Sequence, residues 1–334
     1  MSAVFSTSVP TVPLGKPVVA RTKSFFFLFI AVTYGLLLSQ LPDVHFKDFN
    51  NYLVYADGSW LLALRYADDG LLRILSNEPA WLLMNAGLRL LFAAETVVRV
   101  IIFGGATSVA WLILRHYPQQ FIWLILFLLL PQVIKNYLIH LRQGAAIAVF
   151  LWGWFSLNRT WRWLLLGLTP FIHASFFFVL ALLALTRMLR VTRFAPDLKI
   201  VAYVVAGIAC GLGLGVLVEL LGARQGGQYA FERTEVSGLG FVLWTIVFGI
   251  MISAGRAWLR GHAFESGIVA FYLVTYWLIE VTARIFESGL ILVLLAGLTL
   301  RGGRRQAFLS IVLGAGALAW VLRIGQPALG FGES

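Results

Sequence analysis

Long runs of apolar residues, separated by short polar or basic stretches, recur along the chain from Phe25 to Leu322. A membrane-spanning helix needs about 20 mainly apolar residues, and shorter runs suffice where helices pack among neighbours. The runs therefore predict an all-α fold, a polytopic transmembrane bundle of about eleven helices. The predicted spans are 24–41, 97–114, 119–138, 143–158, 162–173, 174–189, 198–221, 238–254, 265–281, 286–300 and 307–324. The shorter apolar segment 79–94, which contains Arg89, is predicted as an interfacial or re-entrant helix.

The segment 162–189 admits two interpretations, one long helix or two short helices separated at Pro170. Proline lacks the backbone donor and clashes with the preceding turn, which gives a physical reason for a break. A single crossing would place the arginines of 187–193 outside, whereas two crossings keep them in the cytoplasm, where Lys and Arg concentrate. Two crossings are therefore favoured, and they put His173 near the outer turn.

The number and placement of charged residues support this topology and argue against a soluble or nucleic-acid-binding protein. Charged residues make up 12% of the chain and hydrophobic residues 60%, whereas soluble domains carry about 25% charged residues. The net charge of +11 is explained by basic cytoplasmic loops, so nucleic acid is not a predicted partner. The outer loops, notably 42–78 and 222–237, mix acidic with basic residues, which is what a polar active site needs.

One membrane-embedded domain is predicted over 24–325, between a cytoplasmic N-terminal tail, 1–23, and a short C-terminal tail, 326–334. The odd number of crossings places the C-terminal tail outside. The single cysteine, Cys210, excludes an intramolecular disulfide and a zinc site built from cysteines. No motif predicts another metal, a haem, a nucleotide or a nucleophilic serine, so no cofactor is expected.

Asp48, Tyr52 and Tyr55 stand at helical spacing just after the first predicted span, on the outer side. A carboxylate beside aromatic rings suits sugar binding, because the carboxylate accepts hydroxyl hydrogen bonds and a ring stacks on the apolar face of a pyranose. The alternative is an amphipathic interfacial helix with a tyrosine anchor.

Two predicted helix starts on the outer side carry charged residues. Glu78 precedes Pro79, which is either an ordinary helix start or a carboxylate placed at a site. Arg142 and Gln143 open a helix whose small residues, from Gly144 onward, let another helix or a lipid-linked substrate approach closely. An arginine there either clamps phosphate with its fork of donors or extends to the interface as an anchor.

A histidine and two more arginines complete the candidates. His173 lies in an apolar stretch, where an imidazole is costly unless it has a partner or faces water. It titrates near neutrality, so it can act as a general base or bind phosphate, and the alternative is a satisfied buried histidine. Tyr229 and Arg233 lie in an outer loop. Arg284 stands at an outer helix end, where the alternative is a pair with Glu287.

In chain order these elements read Asp-x-x-x-Tyr, Glu-Pro, Arg-Gln-Gly, Phe-x-His-x-Ser and Ala-Arg-Ile-Phe. The order resembles the EpsG/Wzy-like family of bacterial polysaccharide polymerases, over roughly 24–300. The resemblance implies a membrane glycosyltransferase that polymerises undecaprenyl-diphosphate-linked oligosaccharide repeat units at the periplasmic face of the cytoplasmic membrane. The implied partners are the lipid-linked glycan donor and acceptor, the lipid bilayer, a chain-length regulator and a flippase.

Roles for individual residues combine this resemblance with the chemistry of a diphosphate leaving group, whose developing negative charge must be stabilised. Three residues are expected to bind the diphosphate: Arg142, Arg284 and Arg233. His173 is expected to orient or deprotonate the acceptor hydroxyl, or to assist at the phosphate. Asp48 and Glu78 bind sugar, or one of them is the base instead. Four residues are expected to contact sugar: Tyr52, Tyr55, Gln143 and Tyr229.

Two other functions fit the same pattern. An O-antigen ligase carries out a related glycosyl transfer, but ligases usually have a larger outer loop than 42–78. A flippase or exporter of lipid-linked glycans needs a charged central cavity that alternates between the two faces. The polar residues of this chain concentrate at one face, which favours a polymerase.

Overall fold

The computed structural model describes residues 21–41, 46–191, 194–221, 238–279 and 281–332, and this part of the chain is all-α. Its first eight α-helices are α1 (Arg21–Ser39), α2 (Phe49–Asp68), α3 (Leu71–Ser76), α4 (Pro79–Arg89), α5 (Ala94–His116), α6 (Phe121–Leu128), α7 (Pro131–Leu138) and α8 (Leu141–Phe155). The next eight are α9 (Arg159–Leu168), α10 (Ser175–Val191), α11 (Pro196–Leu221), α12 (Leu239–Ser253), α13 (Arg256–Gly261), α14 (Ala263–Thr275), α15 (Thr282–Leu298) and α16 (Gly303–Val321). All-α architecture is therefore confirmed for the described residues.

Helix α15 forms the centre of the bundle. Every residue from Ile285 to Leu298 is buried, as expected of a helix that is apolar on nearly all sides. Helices α7, α8, α10, α14 and α16 pack around it. A Cβ atom on Gly297 would lie 2.1 Å from the ring of Phe308, so glycine permits the close contact between α15 and α16.

A second packed unit consists of α1, α5 and α8, in which α5 lies between the other two. Gly144 brings the start of α8 against α7. A Cβ atom on Gly144 would lie 2.2 Å from the carbonyl oxygen of Asn136. Glycine therefore allows the two backbones to touch, and this contact fixes the position from which α8 begins.

Helix length and composition support fewer spans than the sequence predicts. Among the described residues, one helix, α5, is long and apolar enough to cross a membrane alone. A second span is possible if Pro118–Leu128, which contains α6, and Pro131–Leu138, which is α7, are counted as one segment. The chain bends by 70° between these two parts. Shorter apolar helices lie at Ser24–Ser39, Leu198–Gly213, Leu239–Ser253 and Ala263–Thr275. Helices α8, α10 and α15 have only 15, 17 and 17 residues.

The predicted span 119–138 is not one helix. Helix α6 ends at Leu128 and α7 begins at Pro131. Proline cannot continue a helix through its interior, but it is well suited to the first helical position. Within the predicted outer loop 42–78 the structure has two helices, α2 and α3, and Tyr52 and Tyr55 lie on α2, in agreement with their helical spacing.

The predicted break in 162–189 is present. Helix α9 ends at Leu168, a 3-10 turn follows at Thr169–Phe171, and α10 begins at Ser175. In the described part of the predicted tail 326–334, the carbonyl oxygen of Phe331 accepts a hydrogen bond of 2.9 Å from the backbone N–H of Lys47. The C-terminal segment therefore packs beside the chain that leads into α2.

Candidate active site

Four helices, α4, α8, α10 and α15, begin close together at one end of the bundle, which we call the site end. Glu78 immediately precedes α4, Arg142 is the second residue of α8, and His173 lies just before α10. Hydrogen bonds join these three side chains to one another through Glu78. The free N–H groups and the dipole of a helix start favour negative charge, so the site end suits an anionic ligand.

The carboxylate of Glu78 is buried and joins three segments of the chain. Oε2 accepts a hydrogen bond from Arg142 Nη1 at 2.5 Å, while Oε1 accepts from His173 Nδ1 at 2.9 Å and from the backbone N–H of Ala174 at 3.1 Å. The backbone of Glu78 has a φ of 58°, a left-handed conformation that costs a non-glycine residue about 1 kcal/mol. Strain of this kind concentrates at functional sites, which makes Glu78 a strong candidate.

The contacts of Glu78 determine its protonation state. Burial alone would raise the pKa of this carboxyl, but the charge of Arg142, the hydrogen bond and charge of His173 and the N–H of Ala174 outweigh burial and lower the pKa from 4.5 to about 2. Glu78 is therefore a carboxylate at neutral pH. A carboxylate only accepts hydrogen bonds, so Nδ1 of His173 carries a hydrogen atom.

The opposite ring nitrogen of His173, Nε2, is buried and has no hydrogen-bond partner among the described residues. His173 as a whole is only 6% exposed. A buried nitrogen without a partner costs about 1–3 kcal/mol. With the hydrogen on Nδ1, the neutral ring offers a lone pair at Nε2. A carboxylate that orients an imidazole in this way is the arrangement of a general base and its positioning residue.

An aromatic residue of α2, itself packed against α4, lies beside the guanidinium of Arg142. The guanidinium carbon lies 5.3 Å from the centroid of the Tyr55 ring, a cation–π distance. The ring of Trp81 meets Tyr55 edge to face, with centroids 6.4 Å apart. The Arg142 side chain is 24% exposed. Its position is therefore fixed by Glu78 on one side and Tyr55 on the other, while part of it stays accessible to a ligand.

Two residues assigned to sugar contacts, Tyr52 and Gln143, have internal partners. The Tyr52 hydroxyl donates to the carbonyl of Ile139 at 2.7 Å and accepts from the N–H of Leu141 at 3.1 Å. Gln143 is 0% exposed, and its Nε2 donates to the carbonyl of Arg284 at 2.7 Å. These contacts position the start of α8 against α2 and α15, and the sugar roles stay predictions.

A second ion pair lies between α7 and α15. Lys135 Nζ is 2.6 Å from Glu287 Oε1, and Glu287 follows Arg284 by about one helical turn. Burial is the largest cause that lowers the pKa of His140, and the charges of Lys135, Arg284, His173 and Arg142 lower it further, to about 3. His140 is therefore neutral. The basic groups of the site end, including Lys135, Arg142 and Arg284, lie close enough to His140 for their charges to act on it.

Arg284, the third residue of α15, is half-buried. The ion pairs formed among the described residues do not include its guanidinium. Its charge acts on both His140 and His173. The structure thus brings Arg142, Arg284 and His173 to the same end of the bundle.

The other predicted residues are placed differently. Asp48 precedes α2, has a φ of 69°, and accepts a hydrogen bond of 3.0 Å from Asn51 Nδ2. Tyr229 and Arg233 lie outside the described residues, so their roles stay predictions. Across the described ranges, no group of three or more His, Cys, Asp or Glu side chains is arranged to hold a metal.

Sequence reasoning missed the pair formed by Lys135 and Glu287, and it did not single out His140. Lys135 lies near the outer end of the predicted span 119–138, and its partner on a distant helix has no signature in the local sequence. Its one signal is a lysine within an otherwise apolar segment, since such residues are costly and usually paired.

Comparison with protein families, curated proteins and solved structures found no match to this chain.

Proposed function

We propose that the chain is a polytopic protein of the bacterial cytoplasmic membrane. Exposed apolar side chains support this proposal. They recur at spacings of three, four or seven residues, and so form one face, on three helices: Phe25, Phe29 and Leu36 of α1, Val201, Val205 and Leu212 of α11, and Leu239, Val242 and Ile246 of α12. Soluble monomers rarely expose apolar patches of more than a few hundred Å2, whereas hydrocarbon chains cover such faces without cost.

We infer about eleven crossings, a cytoplasmic N-terminus and an interfacial or re-entrant segment at 79–94. Helices α8, α10 and α15 all begin at the site end. They end near basic residues such as Arg187 and Arg301, and Lys and Arg mark the cytoplasmic side. The short helices are compatible with crossing because they pack among neighbours. In this orientation the site end faces the periplasm.

We propose further that the protein is a glycosyltransferase that polymerises undecaprenyl-diphosphate-linked repeat units, a Wzy-type polysaccharide polymerase. The observation that carries the proposal is the double contact of Glu78. One carboxylate holds both Arg142, a cation suited to phosphate, and His173, whose free Nε2 is suited to accept a proton. Glycosyl transfer from a lipid diphosphate needs both groups close together, one at the leaving group and one at the nucleophile.

In the proposed reaction, an acceptor hydroxyl of the new repeat unit attacks the anomeric carbon of the growing glycan. The bond between that carbon and the diphosphate oxygen breaks, and the electron pair leaves with the lipid diphosphate. Nε2 of His173 takes the hydroxyl proton and later releases it to solvent, while Glu78 orients the ring and stabilises its charged form. Arg142 and Arg284 stabilise the charge that develops on the diphosphate.

The proposal is tested in a strain that makes a polysaccharide by this route and lacks its own polymerase. The chain is expressed there as wild type, Arg142→Ala or His173→Ala, and polymer length is read on gels alongside protein level. We expect long chains from wild type and single capped repeat units from both variants. Arg89→Ala is the matched control, because Arg89 is a surface arginine paired with exposed Asp57 at 2.8 Å.

Wild-type chain lengths from either site variant, at normal protein level, would overturn the assignment. A strain from which this chain itself has been deleted separates the competing functions, since loss of a polymerase leaves single capped repeat units. Loss of a flippase would leave no capped units at all, and loss of a ligase would leave polymer attached to its lipid carrier.

A further inference from the structure

The ion pair between Lys135 and Glu287 is not accounted for by the reaction described above. The Lys135 side chain is 22% exposed and that of Glu287 is 8% exposed. The second carboxylate oxygen of Glu287, Oε2, has no partner among the described residues. The desolvation of a pair as buried as this offsets most of its attraction, so the pair contributes little to stability compared with apolar side chains of the same size.

The location of the pair points to a ligand. Lys135 lies near the end of α7, and Glu287 follows Arg284 near the start of α15. Gln143, which follows Arg142, donates to the carbonyl of Arg284 at 2.7 Å and to Oγ of Ser288, which follows Glu287, at 3.2 Å, so the three cations Lys135, Arg142 and Arg284 lie at one end of the bundle. Two carboxylates, Glu78 and Glu287, pair with two of these three cations. The third cation, Arg284, forms no ion pair among the described residues. Its charge and the nearby helix starts therefore remain available to an anion.

We propose that Lys135 is a third ligand of the lipid diphosphate, and that Glu287 is the counter-ion which competes with the phosphate for its ammonium group. This inference rests on the proposed function, since it deepens the assignment of the diphosphate site. A lysine ammonium is a compact charge with three donors and no acceptor, which suits a phosphate oxygen that the planar guanidinium groups do not reach.

The competition has a functional consequence. The lipid diphosphate gains a negative charge when its bond to the sugar breaks, so any set of cations binds the product more tightly than the donor. A carboxylate that competes for one cation weakens binding of the product and favours its release. Glu287 is therefore a positioning residue, which holds Lys135 in place and limits product affinity.

The test uses the purified full-length protein in detergent micelles and geranyl diphosphate as the probe, with Kd measured by calorimetry. We expect Lys135→Gln to raise Kd about tenfold, because a hydrogen bond to a charged group is lost. Glu287→Gln keeps the shape of the side chain but releases Lys135, so Kd is expected to fall. The charge-reversed double variant K135E/E287K restores the ion pair but not the phosphate contact, and we expect wild-type thermal stability with weak binding.

Several results would overturn the inference. Wild-type affinity in Lys135→Gln, together with lost binding in Arg142→Ala, would remove Lys135 from the site and leave the proposed function intact. Wild-type affinity in K135E/E287K would show that the pair is structural. An equal loss in the surface control Arg89→Gln would reduce the effect to general electrostatic attraction. Absence of binding by the wild-type protein would overturn both this inference and the diphosphate site.

Discussion

The two ends of the bundle hold their basic residues in different ways. At the site end, cations face carboxylates, as in the pairs of Arg142 with Glu78 and Lys135 with Glu287. At the far end, where α8, α10 and α15 end, several arginines contact neutral groups. These contacts are Arg162 with the carbonyl of Ser156, Arg187 with the ring of Trp163, and Arg305 with the amide oxygen of Gln120.

The difference separates two uses of positive charge. A neutral partner fixes an arginine without cancelling its charge, so Arg162, Arg187 and Arg305 keep their positive charge, as the proposed cytoplasmic surface requires. A carboxylate partner cancels the charge and allows the cation to be buried in a defined geometry. Defined geometry is what recognition of a particular ligand requires. Substitutions at the site end should therefore reduce stability and polymer length more than substitutions at the far end.

The largest effect is expected from Glu78→Ala. This substitution leaves the cation of Arg142 and the ring of His173 without their shared partner, and removing one member of a buried pair costs about 3–5 kcal/mol. Thermal unfolding in detergent should show this loss, and polymer should be absent. Asp57→Ala breaks the exposed pair with Arg89 and should cost under about 1 kcal/mol. Equal losses in the two variants would contradict the role given to burial.

Lowering the pH should reduce the folding stability of the protein, because it protonates the carboxylate of Glu78. The pKa of Glu78 is about 2 in the folded protein, below its ordinary value of 4.5. Its contribution to stability is therefore fully present above pH 4.5, is lost as the pH falls towards 2, and amounts to about 3 kcal/mol. Unfolding temperatures measured from pH 7 to pH 3 should fall more steeply for wild type than for Glu78→Gln. Parallel curves would show that Glu78 is not the group that titrates.

A smaller effect is expected where backbones touch. Gly144→Ala places a Cβ atom 2.2 Å from the carbonyl oxygen of Asn136, and overpacking of this kind costs about 1–3 kcal/mol. The shift should also displace Arg142 and shorten the polymer. Gly261→Ala at the far end meets open space and should leave both stability and chain length unchanged. Wild-type stability and polymer length in Gly144→Ala would mean that α7 and α8 can move apart without cost.

The smallest effect is expected from Arg187→Gln at the far end. The guanidinium carbon lies 4.3 Å from the centroid of the Trp163 ring, and such a contact contributes about 0.5–1 kcal/mol at an exposed site. Polymer length should not change, in contrast to Arg142→Gln, which makes the same change of side chain at the site end. A shortened polymer from Arg187→Gln would place function at both ends.

Much of this contrast is visible in the sequence, because the loops predicted on one side are basic and those predicted on the other side mix both signs of charge. The break after Pro170 and the helix starts at Glu78 and Arg142 also have local signals, in proline and in the order of polar and apolar residues. The bend before Pro131 was missed because the residues on both sides are apolar, and hydropathy alone does not distinguish one helix from two.

The partners of individual side chains were beyond sequence reasoning. The contact of Lys135 with Glu287 depends on how α7 packs against α15, and the burial of Gln143 depends on the same central helix. The strain at Glu78 is likewise a property of the folded backbone. A residue type and its spacing indicate which chemistry is available, while tertiary packing decides which groups meet.

The most direct test of the account is polymerisation by the purified protein in proteoliposomes supplied with undecaprenyl-diphosphate-linked repeat units. Wild type should form long chains and release one lipid diphosphate for each new linkage. Arg142→Ala and His173→Ala should lose both products together, and Arg89→Ala should retain both. Absence of polymer from the wild-type protein, or polymer formation that does not depend on Arg142 and His173, would contradict the central claim that the site end catalyses glycosyl transfer.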